Sequence, residues 1–152
     1  ARVHYEFGRR GSRDPLDLFW YDGGQKPDSK LVPGLKIEGN GTIVVCEKAT
    51  IFGPNEANAE FHLVGGAPMP EIQVDESPGH MAEFFRAAEG GQAAVSNFPN
   101  YAGPLAETVL LGNLAIWADG RRLEWDAKNM AVRGTHEFDE LIRPSFRSGY
   151  RV

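Results

Sequence analysis

The alternation of apolar and polar residues predicts strands at the start of the chain. In "RVHYEF" every second residue is apolar, so Val3, Tyr5 and Phe7 share one face, as in a half-buried strand. In "PLDLFWYD", which ends at Asp22, both faces carry apolar side chains. This second strand is therefore expected to be covered on both sides.

Further short strands are predicted up to residue 74. Asn40-Gly41 lies between two strand-like runs in "LKIEGNGTIVVCEK", and this pair tolerates the positive φ angles of a type I′ hairpin turn. The runs "ATIFGP", "AEFHLVG" and "EIQV" have the length and apolar content of three more strands.

The apolar period changes to that of a helix after Ser77. This serine is a candidate N-cap, with Pro78 at the first helical position and Gly90 just past the end. The helix is expected to lay one apolar stripe on a sheet, formed by Met81, Phe84, Phe85 and Ala88.

A second helix is predicted in "PLAETVLLGNLAIW", with Pro104 near its start and Gly120 past its end. Its apolar residues cover most of the circumference, so it is expected to be buried between two layers. Gly112 costs about 1 kcal/mol in helix propensity, which a close backbone crossing would offset.

The remaining segments complete the fold class. "RRLEW" is a short strand, "DAKNMAV" a turn with an extended piece, and "THEFDELI" a short helix capped by Thr135 and ended before Pro144. The order along the chain is thus mainly strands, then helices. This order predicts an α+β fold with an open, mostly antiparallel β-sheet and helices packed on one face.

Composition excludes several classes of protein. The 152 residues suffice for one domain, and the net charge of −5 disfavours a nucleic-acid binder. The basic residues Arg9, Arg10 and Arg13 are local and predict a solvated hairpin loop. The single cysteine, Cys46, lies in an apolar run and is expected to be a buried, inert thiol. The sequence shows no membrane span and no cysteine–histidine zinc pattern.

Two segments carry candidate binding chemistry. "FWYDGG" places aromatic rings and Asp22 at a strand end, which suits a sugar, although a buried strand closed by a turn explains it equally well. "SNFPNYAGP" precedes the second helix, whose N-terminus is expected to offer unpaired N–H groups. Ordinary loop and capping chemistry is the alternative there. Dinucleotide, P-loop and serine-hydrolase motifs are missing from the sequence.

The same segments resemble a known family. "YDGG", "SNF…YAGPLAETVLLGNLAI" and "RRLEWDAKNM" are similar to the C-terminal domain of the Gfo/Idh/MocA oxidoreductases, in a bacterial branch common in planctomycetes. The similarity extends from about "VHYEF" to "GYRV". The family usually has one residue between the phenylalanine and the tyrosine of its turn, whereas Pro99 and Asn100 make two here.

The resemblance implies that residues 1–152 form a single C-terminal domain, which serves substrate binding and oligomerisation. Its N-terminal Rossmann partner domain would bind NAD or NADP and bring the Glu-Lys-Pro lysine, and the usual catalytic histidine or aspartate would come from a helix before the first strand seen here. This chain is therefore expected to bind no cofactor and to contribute no catalytic residue. Alone it would be inactive. The expected partners are that domain, a second copy through the sheet, and a sugar or polyol, without nucleic acid or membrane. The full-length protein would be cytoplasmic or exported.

Within that framework the substrate is expected between the two candidate segments. The predicted substrate-binding residues are Tyr21, Asp22, Asn97 and Tyr101. Carboxylate and amide groups bind sugar hydroxyls, and tyrosine offers a ring face with a hydroxyl. Two other functions remain open: a free-standing carbohydrate-binding module, and NAD-dependent glycoside hydrolysis on the same scaffold.

Overall fold

The chain folds into two compact units, Ala1–Glu76 and Ser77–Val152. The computed structural model describes residues 1–55 and 60–150. The first unit is built from strands and one 3₁₀ turn, Ser29–Leu31, and the second carries the α-helices and a small hairpin. Every strand pair is antiparallel. The α+β class is confirmed, while the single domain stays a prediction.

An antiparallel hairpin opens the first unit. Strands β1 (Arg2–Phe7) and β2 (Leu16–Tyr21) pair as predicted, with Val3 opposite Trp20. The arginine-rich loop between them closes with mutual backbone bonds of Arg10 and Arg13, at 3.2 and 3.1 Å.

The prediction that β2 is covered on both faces is wrong. Leu16, Phe19 and Trp20 are 59, 46 and 54% exposed, because no helix packs on the hairpin among the described residues of its unit.

A three-stranded sheet follows, formed by β3 (Thr42–Val45), β4 (Thr50–Gly53) and β5 (His62–Leu63). Of the "AEFHLVG" run, only His62 and Leu63 form a strand, and Ala59 lies outside the described residues. "EIQV" forms no strand. Its apolar side chains Ile72 and Val74 are 68 and 80% exposed. Phe52 on β4 is buried.

The turn of the β3–β4 hairpin differs from the prediction. It runs from Cys46 to Ala49, where the Cys46 N–H donates to the Ala49 carbonyl at 2.9 Å. Asn40-Gly41 precedes β3 instead, and a Cβ added to Gly41 would lie 2.6 Å from the Gly53 carbonyl oxygen. Gly41 therefore serves a close backbone approach. Because Cys46 is in the turn rather than in a strand, its thiol is exposed, and the prediction of burial was wrong.

The first helix of the second unit, α1 (His80–Ala88), begins two residues later than predicted. Gly79, with a φ of 97°, stands at its N-cap, and the Ser77 hydroxyl instead accepts from the Gly79 N–H at 3.1 Å. Gly90 ends the helix region as expected, with a φ of 85°. The predicted stripe is not covered, since Met81, Phe84 and Phe85 are exposed.

The second helix, α2 (Gly103–Trp117), follows a π-helical turn over Phe98–Ala102, called the π-turn below. Gly112 and Leu114 are buried, but much of the apolar surface of α2 is exposed. Complete burial between two layers was therefore wrong, since the packed elements cover one side only. The exposed apolar residues of α2 are Leu105, Val109, Leu110, Ile116 and Trp117.

The covered side of α2 belongs to the core of the second unit. Strands β6 (Trp125–Asp126) and β7 (Ala131–Val132) form a hairpin, and α3 (Asp139–Ile142) follows. Only the end of "RRLEW" is strand. Thr135 does not cap α3, which Phe138 precedes, but its hydroxyl accepts from the Glu137 N–H at 3.2 Å. The buried cluster consists of Leu114, Ala118, Val132 and Phe138.

Substituting Gly41 should destabilise the three-stranded sheet. In Gly41→Ala the new methyl group would press on the Gly53 carbonyl, so we expect a loss of about 1–3 kcal/mol in unfolding free energy. Gly39→Ala is the matched control, because nothing lies within 4 Å of its added Cβ. Urea denaturation of both variants measures the difference. Equal stability of the two would show that the approach at Gly41 is not tight.

Candidate functional site

Tyr21 and Asp22 lie where β2 ends. Tyr21 is half-buried, and its ring centroid is 6.5 Å from that of Phe19. The exposed Asp22 carboxylate accepts from the Trp20 indole N–H at 3.4 Å. This strand end therefore presents an anionic acceptor beside aromatic rings.

An aromatic surface extends from this strand end along the hairpin. The residues of this hairpin surface, Phe7, Leu16 and Trp20, share one face of the β1–β2 hairpin and are all more than two-fifths exposed. On the opposite face, Phe19 stacks on the His4 ring at a centroid distance of 4.3 Å, and His4 Nε2 lies 2.7 Å from an Asp17 carboxylate oxygen. The Phe19 ring is thus held in place while it remains accessible.

Asn97 is engaged by its own loop. Its side-chain oxygen accepts from the Asn100 N–H at 3.0 Å, and its amide nitrogen donates to the Ala94 carbonyl at 2.9 Å. The side chain therefore caps the π-turn, as the alternative of loop and capping chemistry anticipated. Tyr101, in the same turn, is 53% exposed.

The N–H groups at the start of α2 have acceptors. The Tyr101 and Ala102 N–H groups donate to the Asn97 carbonyl at 3.1 and 3.0 Å, and the Gly103 N–H donates to the Phe98 carbonyl. The expectation of unpaired N–H groups here was wrong, because the π-turn winds the backbone onto its own carbonyls.

A buried carboxylate lies next to the segment that enters this turn, and the sequence pattern did not predict it. Glu83 on α1 is 6% exposed; one oxygen accepts from the Ser77 hydroxyl at 2.6 Å and the other from the Val95 N–H at 3.0 Å. The Ser77 hydroxyl, then the Val95 N–H and the charges of Arg86 and His80, lower the pKa of Glu83 despite its desolvation. Nothing in the helical pattern distinguishes Glu83 from a solvated glutamate.

An apolar groove runs along α2 in the second unit. It encloses about 200 Å³, and Glu107 is the one charged residue among those that line it. The Glu107 carboxylate accepts from the Trp125 indole N–H at 2.6 Å, which joins α2 to β6. The apolar walls include Leu110, Leu111, Leu114, Trp117, Met130 and Ile142.

A second cleft, of about 450 Å³, is more polar and is lined by Lys128, His136, Asp139 and Arg143 among others. Residues 1–55 and 60–150 hold no cluster of three or more metal-ligating side chains. Within this described part of the chain, no helix combines the length and the apolar content that a membrane crossing requires.

The four predicted site residues divide between the two units. Tyr21 and Asp22 neighbour each other in the first, and Asn97 and Tyr101 share the π-turn region of the second. A common site of all four stays a prediction. Among known proteins, no family model, curated protein or solved structure matches this chain. The resemblance to the Gfo/Idh/MocA family likewise stays a prediction, carried by the quoted segments.

Acid should weaken the second unit through Glu83. Its pKa is lowered in the folded chain, so its stabilisation is fully present above the ordinary glutamate pKa of about 4.3 and is lost as the pH falls through the lower, folded value. Thermal melts between pH 7 and pH 3 should show a larger fall in melting temperature for the unsubstituted chain than for Glu83→Gln. Glu89→Gln, at the exposed end of the same helix, is the control. Identical pH profiles for the parent and Glu83→Gln would contradict this assignment.

Proposed function

We propose that this chain is the substrate-binding and assembly domain of an NAD(P)-dependent sugar or polyol oxidoreductase. The supporting observation is the exposed apolar surface of α2, the helix that carries most of the family-like segment. Val109, Leu110 and Trp117 are 52, 62 and 59% exposed. Apolar surface of this kind is typical of protein interfaces, which suits a domain that works against a further protein layer.

The chemistry of the strand end supports a sugar or polyol as substrate. Asp22 offers an ionised acceptor for hydroxyl groups, and charge-assisted hydrogen bonds are the stronger class. Tyr21 adds a ring face with a polar tip, which suits the mixed apolar and hydroxylated faces of a sugar. In the proposed enzyme, the Rossmann domain supplies NAD or NADP and the catalytic groups, while this domain binds and orients the substrate.

The hairpin surface supports the assembly role. Its residues Phe7, Leu16 and Trp20 are exposed on one face of a two-stranded sheet, to which no further strand pairs among the described residues. A second copy of the chain, packed on this surface, would bury these apolar side chains. We therefore propose that the homo-oligomer forms through this sheet.

A carbohydrate-binding module is the second candidate function. The exposed Trp20 ring, whose indole N–H reaches the Asp22 carboxylate, favours it, because a ring beside an anionic acceptor is a sugar platform that needs no cofactor domain. The gene separates the two candidates, since the oxidoreductase requires a Rossmann domain encoded upstream of Ala1. Glycoside hydrolysis on the same scaffold would be detected by a product assay on the full-length protein.

Removing the Asp22 carboxylate should impair turnover in the full-length enzyme. We expect Asp22→Ala to lower kcat/KM for the sugar or polyol by about tenfold or more, with cofactor affinity unchanged. Asp75→Ala is the matched control, an exposed aspartate of the same unit that the proposed site does not use. Steady-state NAD(P)H formation measures both. Unaltered turnover of a folded Asp22→Ala enzyme would leave this segment as a structural turn.

Charges on the hairpin surface should disrupt self-association. We expect sedimentation velocity to show an oligomer for the parent chain and a shift towards monomer for the double variant Leu16→Glu, Trp20→Glu, because a charge buried in the interface is unpaired. Val45→Glu is the control: Val45 is 62% exposed on the other sheet of the same unit. A parent chain that sediments as a monomer at high micromolar concentration would refute assembly through this surface.

A further inference from the structure

We infer that Glu83 is a positioning residue for the candidate substrate turn, residues 96–101. The inference rests on the proposed function in one respect only, namely that this turn contacts substrate. Glu83 lies on α1 and belongs to no proposed binding set. Its carboxylate holds the chain segment that enters the turn, and this segment is joined by hydrogen bonds to Asn97 and so to Asn100.

The connection can be followed bond by bond. Glu83 accepts from the Val95 N–H at 3.0 Å. The neighbouring Ala94 carbonyl accepts from the Asn97 side-chain nitrogen at 2.9 Å, and the Asn97 side-chain oxygen accepts from the Asn100 N–H at 3.0 Å. The backbone orientation at residues 94 and 95 therefore determines where the Asn97 side chain sits. That side chain in turn closes the π-turn that presents Tyr101.

The segment before the turn is held to α1 at a second point. The Arg86 guanidinium donates to the Gln92 carbonyl at 3.3 Å, and the Gly91 N–H donates to the Arg86 carbonyl at 2.9 Å. The segment thus runs back along α1 from its last turn to Glu83 in its first. Arg86 holds the start of this segment, and Glu83 holds the end that leads into the turn.

A carboxylate suits this position because it offers two acceptors and no donor. One oxygen accepts a hydrogen bond from the Ser77 hydroxyl at 2.6 Å, and the other accepts one from the Val95 N–H. Because Glu83 is only 6% exposed, water does not replace either bond freely. The groups that face Glu83 from the flanking segments, the Ser77 hydroxyl and the Val95 N–H, are uncharged. The charges that act on it, Arg86 and His80, belong to its own helix.

The backbone order of the turn tests the inference directly. Relaxation of ¹⁵N-labelled chain gives the order parameters of the Asn100 and Tyr101 amides. In Glu83→Ala we expect them to fall from about 0.85, typical of rigid backbone, to below about 0.6, while those of Leu111 and Leu114 in α2 stay unchanged. Glu83→Gln keeps one acceptor oxygen for Val95 and should restore part of the order. Glu89→Ala, at the exposed end of α1, should change nothing.

Two results would overturn the inference. Unchanged order parameters at Asn100 and Tyr101 in Glu83→Ala would show that Glu83 does not position the turn. An equal fall throughout α2 would show that Glu83 only supports the fold of the unit. These measurements are made without sugar, so the absence of NAD(P)-dependent turnover in the full-length protein would refute the proposed function and leave the positioning role standing.

The unsubstituted chain provides a second test that does not depend on a variant folding. On acidification, the Val95 amide shift should follow the titration of Glu83, at a midpoint below the ordinary glutamate value. The Asn100 N–H donates to the uncharged Asn97 side chain. We nevertheless expect the chemical shift of the Asn100 amide to change with the same midpoint. A Val95 shift that titrates without any change at Asn100 would refute the connection between Glu83 and the turn.

Discussion

The packing of one side of α2 against the β6–β7 hairpin and Phe138 is the interaction on which the second unit depends. Leu114 and Val132 are 5% exposed and Phe138 is 3% exposed. Burial of each such side chain contributes about 1.5–3 kcal/mol. Hydrogen bonds at the edge of this core fix how its segments are oriented. The Trp125 indole N–H donates to Glu107, and the Arg121 guanidinium pairs with the Glu137 carboxylate through two bonds of 2.8 Å.

This core is small, and its size constrains what the chain does. A hairpin of two-residue strands and a four-residue helix cover one side of a fifteen-residue helix. The remaining apolar residues of α2, the stripe of α1 and the hairpin surface stay accessible to other proteins. A chain that keeps so much apolar surface outside its own core is suited to work within a larger assembly. That physical property and the family-like segments are the support for the proposed role as one domain of an oxidoreductase.

The candidate site shows which functional details local sequence can predict. The polar turn before α2 was predicted because a run of Ser, Asn, Pro and Tyr precedes a helix, and its capping role by Asn97 was among the alternatives. The bonding of its N–H groups to carbonyls of the same turn was not predicted, because a π-turn depends on where the chain enters α2. Glu83 was missed because burial of a carboxylate depends on Ser77 and Val95, six and twelve residues away along the chain.

The sequence by itself determined the features that depend on neighbouring residues. The period-two pattern placed β1 and β2, and Gly90 and Pro144 ended α1 and α3, because backbone preferences act within a few residues. The tertiary structure alone decided which apolar faces are buried and which backbone approaches are close. Gly41 lies against Gly53 rather than in a turn, and α2 is covered on one side rather than two. Burial is a property of which segments meet, and the apolar pattern of one segment does not contain its partner.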